Sequence, residues 1–275
     1  MRWKVITLFL LALINLSCLN VFSPIDSPSG DAQFLSLARA CFDQGDVDCA
    51  NKYYGKISGT TEAETAAAEE AFTILDKNGA TMGALMQSLG SGKGAEALNK
   101  LTELLKPGAG EAKRLSIFDA YKKVDAITVN KELKGLVRFM SAFSMAAEIL
   151  AEYTNDDGIL RKTDLAKDPT VCKSTDAAVC FGAAACAPPS GNKIPYVAGD
   201  ITITSASTAD LSGAASLKMF NGTMGAINTA LGATELGASG KFQTGTGGFV
   251  SALNTAYAQS KECYRAALIE KGLGI

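Results

Sequence analysis

A chain without histidine has a short list of chemistries open to it. None of the 275 residues is His, which removes the commonest general base, the usual zinc ligand and the base of Ser-His and Cys-His nucleophile pairs. Catalysis by carboxylate, lysine or N-terminal amine is left. The side chains that stand out are the 7 cysteines: Cys18, Cys41, Cys49, Cys172, Cys180, Cys186 and Cys263. An odd number in an exported chain calls for one special thiol, and Cys18, at the end of an apolar run, is set apart from the rest. The remaining six are disulfide candidates in an oxidising compartment, and sequence does not choose among their fifteen connectivities. Seven residues separate Cys41 from Cys49. Redox-active pairs are normally C-x-x-C at a helix start, so a structural clamp is the expectation here.

Other reactive patterns are weaker. Tyr153 to Asp164 resembles an EF-hand calcium loop, with Gly158 in the turn slot, Asn155, Asp157 and Asp164 at ligand positions, and Leu160 at the apolar position. Tyr153 replaces the first acidic ligand and Asp164 is a short substitute for the bidentate Glu, so a polar turn whose aspartates cap the next helix is expected, with no metal bound. Ser91-Gly92-Lys93 superficially resembles a phosphate loop, but Gln87 stands where the leading Gly belongs and Gly94 where a magnesium-binding hydroxyl should be. It reads as a loop joining two helices. Glu69 and Glu70 are adjacent, do not face each other on a helix, and read as a solvated face. No catalytic residue and no cofactor are predicted.

The first residues carry an address. Arg2 and Lys4 precede an apolar run from Val5 to Leu16, too short for a bilayer span of about 20 residues and suited to a signal-peptide core. Asn15-Leu16-Ser17-Cys18 resembles a bacterial lipobox, in looseness more like the spirochaete type than the enterobacterial one. The resemblance implies cleavage before Cys18, acylation of its thiol, and membrane attachment through lipid. Loss of Arg2 and Lys4 takes the formal charge from −2 to −4. That balance lacks the concentrated basic patch that nucleic acid requires, and no later apolar run reaches transmembrane length.

Helical periodicity dominates the remainder. Residues 18–31 hold Pro, Ser and Gly and read as a tether. Phe34 to Ile57 reads as two short helices about a turn at Gly45 and resembles a tetratricopeptide repeat. Phe34, Leu37, Ala38 and Cys41 take the first-helix slots, and Ala50 and Tyr54 the second-helix slots. It departs from that family at Cys41, where an aromatic is usual, and at Glu62, where the closing proline stands. Two antiparallel helices of this kind, brought close by Ala38 and Ala50, imply a Cys41–Cys49 bond, with Cys263 left to tie the last helix to one of the insert cysteines, Cys172, Cys180 or Cys186. Helices follow at about 61–77 with a Thr61/Glu64 capping box, then 81–89, 94–105, 111–126 and 131–153. In the last of these, Leu133, Leu136, Val137, Met140, Phe143, Ala147 and Leu150 mark the core-facing spine. Residues 155–206 turn irregular and cysteine-rich, with Ile201 to Thr204 as a short strand candidate, before helices at about 209–231 and 250–271. Asn78-Gly79-Ala80-Thr81-Met82-Gly83 and Asn221-Gly222-Thr223-Met224-Gly225 are similar enough to raise a duplication.

The expected fold is therefore all-α. A helical bundle with a tetratricopeptide-like N-terminal hairpin carries a cysteine-rich irregular insert. Its parts are a signal peptide (1–17), a tether (18–31), a helical domain (32–154), the insert (155–206), and C-terminal helices packing on the first domain (207–275). The expected function is a non-catalytic interaction module, lipid-anchored in the outer membrane of a diderm envelope on its periplasmic or surface face, holding a protein or peptide partner. The alternatives are an enzyme acting on envelope polymers through carboxylates, and a structural or surface-exposed lipoprotein with no small ligand.

Overall fold

Apolar residues at helical spacing become helices almost throughout, and among the described residues no strand forms. A computed structural model of the chain describes residues 28–91, 94–176, 180, 182, 184–191, 193–197, 199–204, 207–232 and 251–275. The signal peptide, Cys18, most of the tether, Gly92, Lys93 and Val250 lie outside the described residues. The elements are α1 (Asp31–Asp43), α2 (Val47–Tyr54), α3 (Thr60–Lys77), α4 (Met82–Gly90), α5 (Ala95–Leu105), α6 (Glu111–Lys123), α7 (Lys131–Ala151), the short α8 (Lys162–Leu165), α9 (Leu217–Ala230), a helical run over 251–259, and α10 (Lys261–Glu270). The chain divides into two compact units between Ser58 and Gly59.

The first unit is the α1–α2 hairpin. Ala38 and Ala50 are fully buried and Tyr54 nearly so, because two small side chains let the helix backbones approach. The exit from α1 is a Schellman closure: Asp46 N–H donates to Cys41 O (2.9 Å) and Gly45 N–H to Phe42 O (2.8 Å), with Gly45 at φ 76°. Asp46 then caps α2 by accepting from Cys49 N–H at 3.0 Å. A Cys41–Cys49 disulfide, with alpha-carbons 5.6 Å apart, joins the helices across the turn.

The second unit is organised around α7. Along its first half only Gly135 and Val137 are buried, but from Phe139 to Ala151 every residue is. That change follows from its neighbours, since α3, α5, α6 and α9 all pack against it. Ala142, Ser144, Ala146, Ala147 and Ala151 keep several of those contacts backbone-close, while Met140, Met145, Ile149 and Leu150 fill the space between. At 1.5 Å per residue the helix is about 30 Å long. It closes at its start by Asn130, whose side chain accepts from Leu133 N–H at 3.0 Å.

Several local expectations are corrected. The capping box does not form: α3 begins at Thr60 behind Gly59, and Glu64 reaches away to the segment before α7, accepting from Thr128, Val129 and Asn130 N–H. Glu70 is not a solvated carboxylate but pairs with Lys123. Residues 201–204 run without a ladder partner, so no strand forms there. The predicted single helix over 250–271 breaks at Ser260, which is extended (φ −166°, ψ 166°) and caps α10 through Cys263 N–H. Leu217 begins α9 only after a 3-10 turn at Thr208–Leu211. The two Asn-Gly segments have unlike structures. Asn78-Gly79 closes a helix at φ 75°, whereas Asn221-Gly222 lies inside α9, where a Cβ on Gly222 would sit 2.7 Å from Ile201 Cγ2.

Candidate functional site

The hairpin presents the candidate interface. Phe34, Leu35, Leu37, Val47, Tyr53 and Ile57 are only half-buried. The exposed Lys56 lies over the rings of Phe34 (5.5 Å) and Tyr53 (5.4 Å), and Lys52 lies 5.9 Å from the Tyr53 ring. Each such contact contributes about 0.5–1 kcal/mol when exposed and leaves the ammonium free for an acidic group. At the turn end the exposed carboxylates of Asp43, Asp46 and Asp48 carry the opposite sign. Asp31 closes the open end by accepting from Ser58 N–H at 3.1 Å. The result is a short amphipathic surface, cationic and aromatic at one end and acidic at the other.

Within the second unit the ionisable groups converge on a seam between α6 and α7. Arg114, with no exposed surface, donates from Nε to Leu211 O at 2.9 Å and from Nη2 to Gly213 O, and its Nη1 pairs with Glu152. Glu111 reciprocates by accepting from Gly213 N–H at 2.7 Å. Glu148, also fully buried, accepts from Gly110 N–H at 2.7 Å and faces Lys113 Nζ at 3.6 Å. Lys113 in turn donates to Leu105 O and Pro107 O. Burial pushes the Glu148 carboxyl up, against the pull of Lys113, and pushes the Lys113 ammonium and the Arg114 guanidinium down. The groups are mutually compensated and bound to main chain, so the seam latches the 208–215 segment to the bundle. Tyr153 adds a hydrogen bond to Ala215 O.

The cysteine-rich segment is fastened from the C-terminal helices. Cys172 is bonded to Cys186, and Cys180 to Cys263 in the first turn of α10, with alpha-carbons 5.4 and 4.6 Å apart. Arg265, 1% exposed, donates to Leu165 O (3.1 Å) and Ile194 O, and burial lowers its pKa to about 10. Tyr257 donates to Val197 O and Gly199 O, Tyr196 to Tyr257 O, and Ser260 Oγ to Cys180 O. Glu270 accepts from Ser174. An irregular segment, lacking its own helix ladder, satisfies several of its carbonyls through side chains from the 251–259 run, Ser260 and α10.

The calcium-like loop is built otherwise than an EF-hand. Asp157 is occupied by Arg161, with which it pairs, and by Ile159 N–H at 3.0 Å, contacts that hold its carboxyl below the usual range. Asp164 accepts from Arg161 N–H at 2.7 Å and caps α8 from within. Gly158 is needed for a different reason than metal binding: it sits at φ 70°, and a Cβ there would lie 2.7 Å from Lys106 Cβ. Lys106 is itself tied down, donating to Ala151 O and Thr154 O. Among the described residues no group of three His, Cys, Asp or Glu is placed to hold a metal ion.

No protein-family model, curated protein or solved structure matches the chain. Of the cysteines singled out by sequence, the structure joins six in three bonds, and Cys18 lies outside the described residues. Arg114 and Glu148 were missed. Their signal was nonetheless visible: Arg114 precedes Ile117, Phe118 and Tyr121 at the spacing of one helix face, and Glu148 continues the face of Met140, Ser141, Ser144 and Met145. A charge in an apolar stripe predicts a buried, partnered ion.

Proposed function

We propose that the chain is an exported, lipid-anchored, non-catalytic helical module that holds a protein or peptide partner at the outer membrane of a diderm bacterium. The observation that carries this reading is the way the cysteines pair. Six of the seven are used in three disulfides, which favours an oxidising compartment. The one left over is Cys18, at the end of an apolar run and in a lipobox-like setting. No described helix is long and apolar enough to cross a membrane, so attachment through an acyl group at Cys18 fits what is present. The tetratricopeptide-like hairpin, with its half-buried aromatic face under Lys52 and Lys56, is the surface we assign to the partner. Engagement of Arg114, Lys113 and Glu148 by main chain and by one another supports a non-catalytic role for the second unit.

Two experiments test this. Cys18→Ser, or inhibition of the lipoprotein signal peptidase, should leave unprocessed precursor and abolish lipid labelling; unchanged processing would remove the anchor from the account. In the mature protein, Tyr53→Ala with Lys56→Glu should abolish capture of the partner taken by the wild type from envelope extract while leaving the melting curve of the second unit unchanged. Undiminished capture would move the interface off the hairpin.

A further inference from the structure

The three disulfides differ in one physical respect. Cys172, Cys180, Cys186 and Cys263 are 4, 1, 0 and 0% exposed, inside the core of the second unit. Cys41 and Cys49 are half-exposed, on a hairpin whose buried residues are Ala38, Ala50 and Tyr54. Thiol–disulfide exchange needs in-line approach of a thiolate to a sulfur, so access decides which bonds react without unfolding. We infer that Cys41–Cys49 is a thiol-exchange site, opened in the folded protein by an external dithiol reductant that attacks Cys41 Sγ, while the other two bonds stay closed.

The choice of sulfur follows from the helix ends. Cys49 lies in the first turn of α2, where the positive end of the helix favours a thiolate, and Cys41 lies in the last turn of α1, which has carbonyls and no basic residue. Asp43, Asp46 and Asp48 are exposed around the turn, and their charges raise the cost of a thiolate. Those charges act on both sulfurs, the Asp46 carboxylate most directly on Cys49 through its N–H, and the helix ends, opposite in sign, set the direction. Cys49 is the better leaving group. The incoming thiolate forms a bond to Cys41 Sγ, the Cys41–Cys49 bond breaks, and Cys49 leaves with the electron pair. The reductant's second thiol, losing its proton to solvent, then attacks its own sulfur in the mixed disulfide. Cys41 is released as a thiolate, both protein thiolates take up protons, and the dithiol becomes a cyclic disulfide after transfer of two electrons to the protein.

Opening removes a covalent tie but leaves the turn closed by Asp46 N–H to Cys41 O, Gly45 N–H to Phe42 O and the Asp46 cap. The hairpin is therefore loosened rather than lost, and the change is confined to residues 31–58.

The test uses the full mature chain, oxidised and native. Graded dithiothreitol followed by iodoacetamide and peptide mapping should label Cys41 and Cys49 at least about ten times faster than the four buried cysteines. In a parallel arm the monothiol 2-mercaptoethanol should leave its adduct on Cys41. Amide exchange should rise within 31–58 of the reduced form and stay unchanged in 59–275. Labelling of all six at one rate, or no labelling of Cys41 and Cys49 until denaturant is added, overturns the exchange site. An adduct chiefly on Cys49 overturns the assigned direction of attack.

Discussion

Removing the guanidinium of Arg114 should unlatch the 208–215 segment and cost more than any surface substitution in the chain. In Arg114→Met the apolar stem is kept, so the loss is electrostatic. Glu152, 15% exposed, loses its ion-pair partner, and the buried Leu211 carbonyl loses its donor; Gly213 is exposed and rehydrates. Breaking a buried pair on one side costs about 3–5 kcal/mol, and the partial exposure of Glu152 places this one near about 3. An orphaned buried carbonyl adds about 1 kcal/mol. The sum of about 4 kcal/mol corresponds to a fall in Tm of about 8–16 °C for a chain of this size. Differential scanning calorimetry of the oxidised protein reads the shift. In Arg114→Met/Glu152→Gln, where neither charge remains, most of the loss should return, because replacing both partners is far less costly than stranding one. A single variant within about 1 kcal/mol of wild type, or a double variant no better than the single, would refute the latch.

Glu64 should give the protein an acid-sensitive clamp. Main-chain donors at Thr128 and Val129 lower its pKa from 4.5 to about 2. A depressed folded pKa means stability that is present above the unfolded value and lost as pH falls from 4.5 towards 2. Glu64→Gln should therefore lower Tm at neutral pH, with the gap to wild type closing near the acid end; a gap constant with pH would show the carboxylate is not held. Gly158→Ala should destabilise by about 2 kcal/mol or more in chemical denaturation, since it meets both a positive φ and Lys106, and a neutral result would mean the turn relaxes freely. Millimolar calcium should leave Tm unchanged because Asp157 and Asp164 are already engaged, whereas a calcium-dependent rise abolished by Asp157→Ala would restore a metal site.

Helices with regular apolar spacing were legible in the sequence. Leu98, Leu101 and Leu105 in α5, and Met140, Ala147 and Leu150 in α7, face the core where periodicity puts them. So do the glycine exits at Gly45 and Gly79, which need a left-handed residue. What failed was choice among competing partners. A capping box is a local pattern, but Glu64 found three donors at Thr128, Val129 and Asn130, 64 to 66 residues away, and no local reading weighs those. Ser260 is a visible cap residue, yet the pattern of Leu253, Tyr257, Tyr264 and Leu268 runs across it in phase, so the break was hidden. In the insert the sequence carried composition without partners. The links of Arg265, Tyr257 and Cys263 to it span about 60 to 100 residues, and only the folded chain chooses among them.

The proposed function requires Cys18 to stay outside the disulfides and to carry the lipid. Mass spectrometry of the protein extracted from membranes with detergent, without reduction, reads both facts together. The predicted result is an N-terminal peptide beginning at an acylated Cys18, with Cys41, Cys49, Cys172, Cys180, Cys186 and Cys263 all in disulfides. A chain retaining residues 1–17, or cut elsewhere and bearing an unmodified Cys18 thiol, would contradict it.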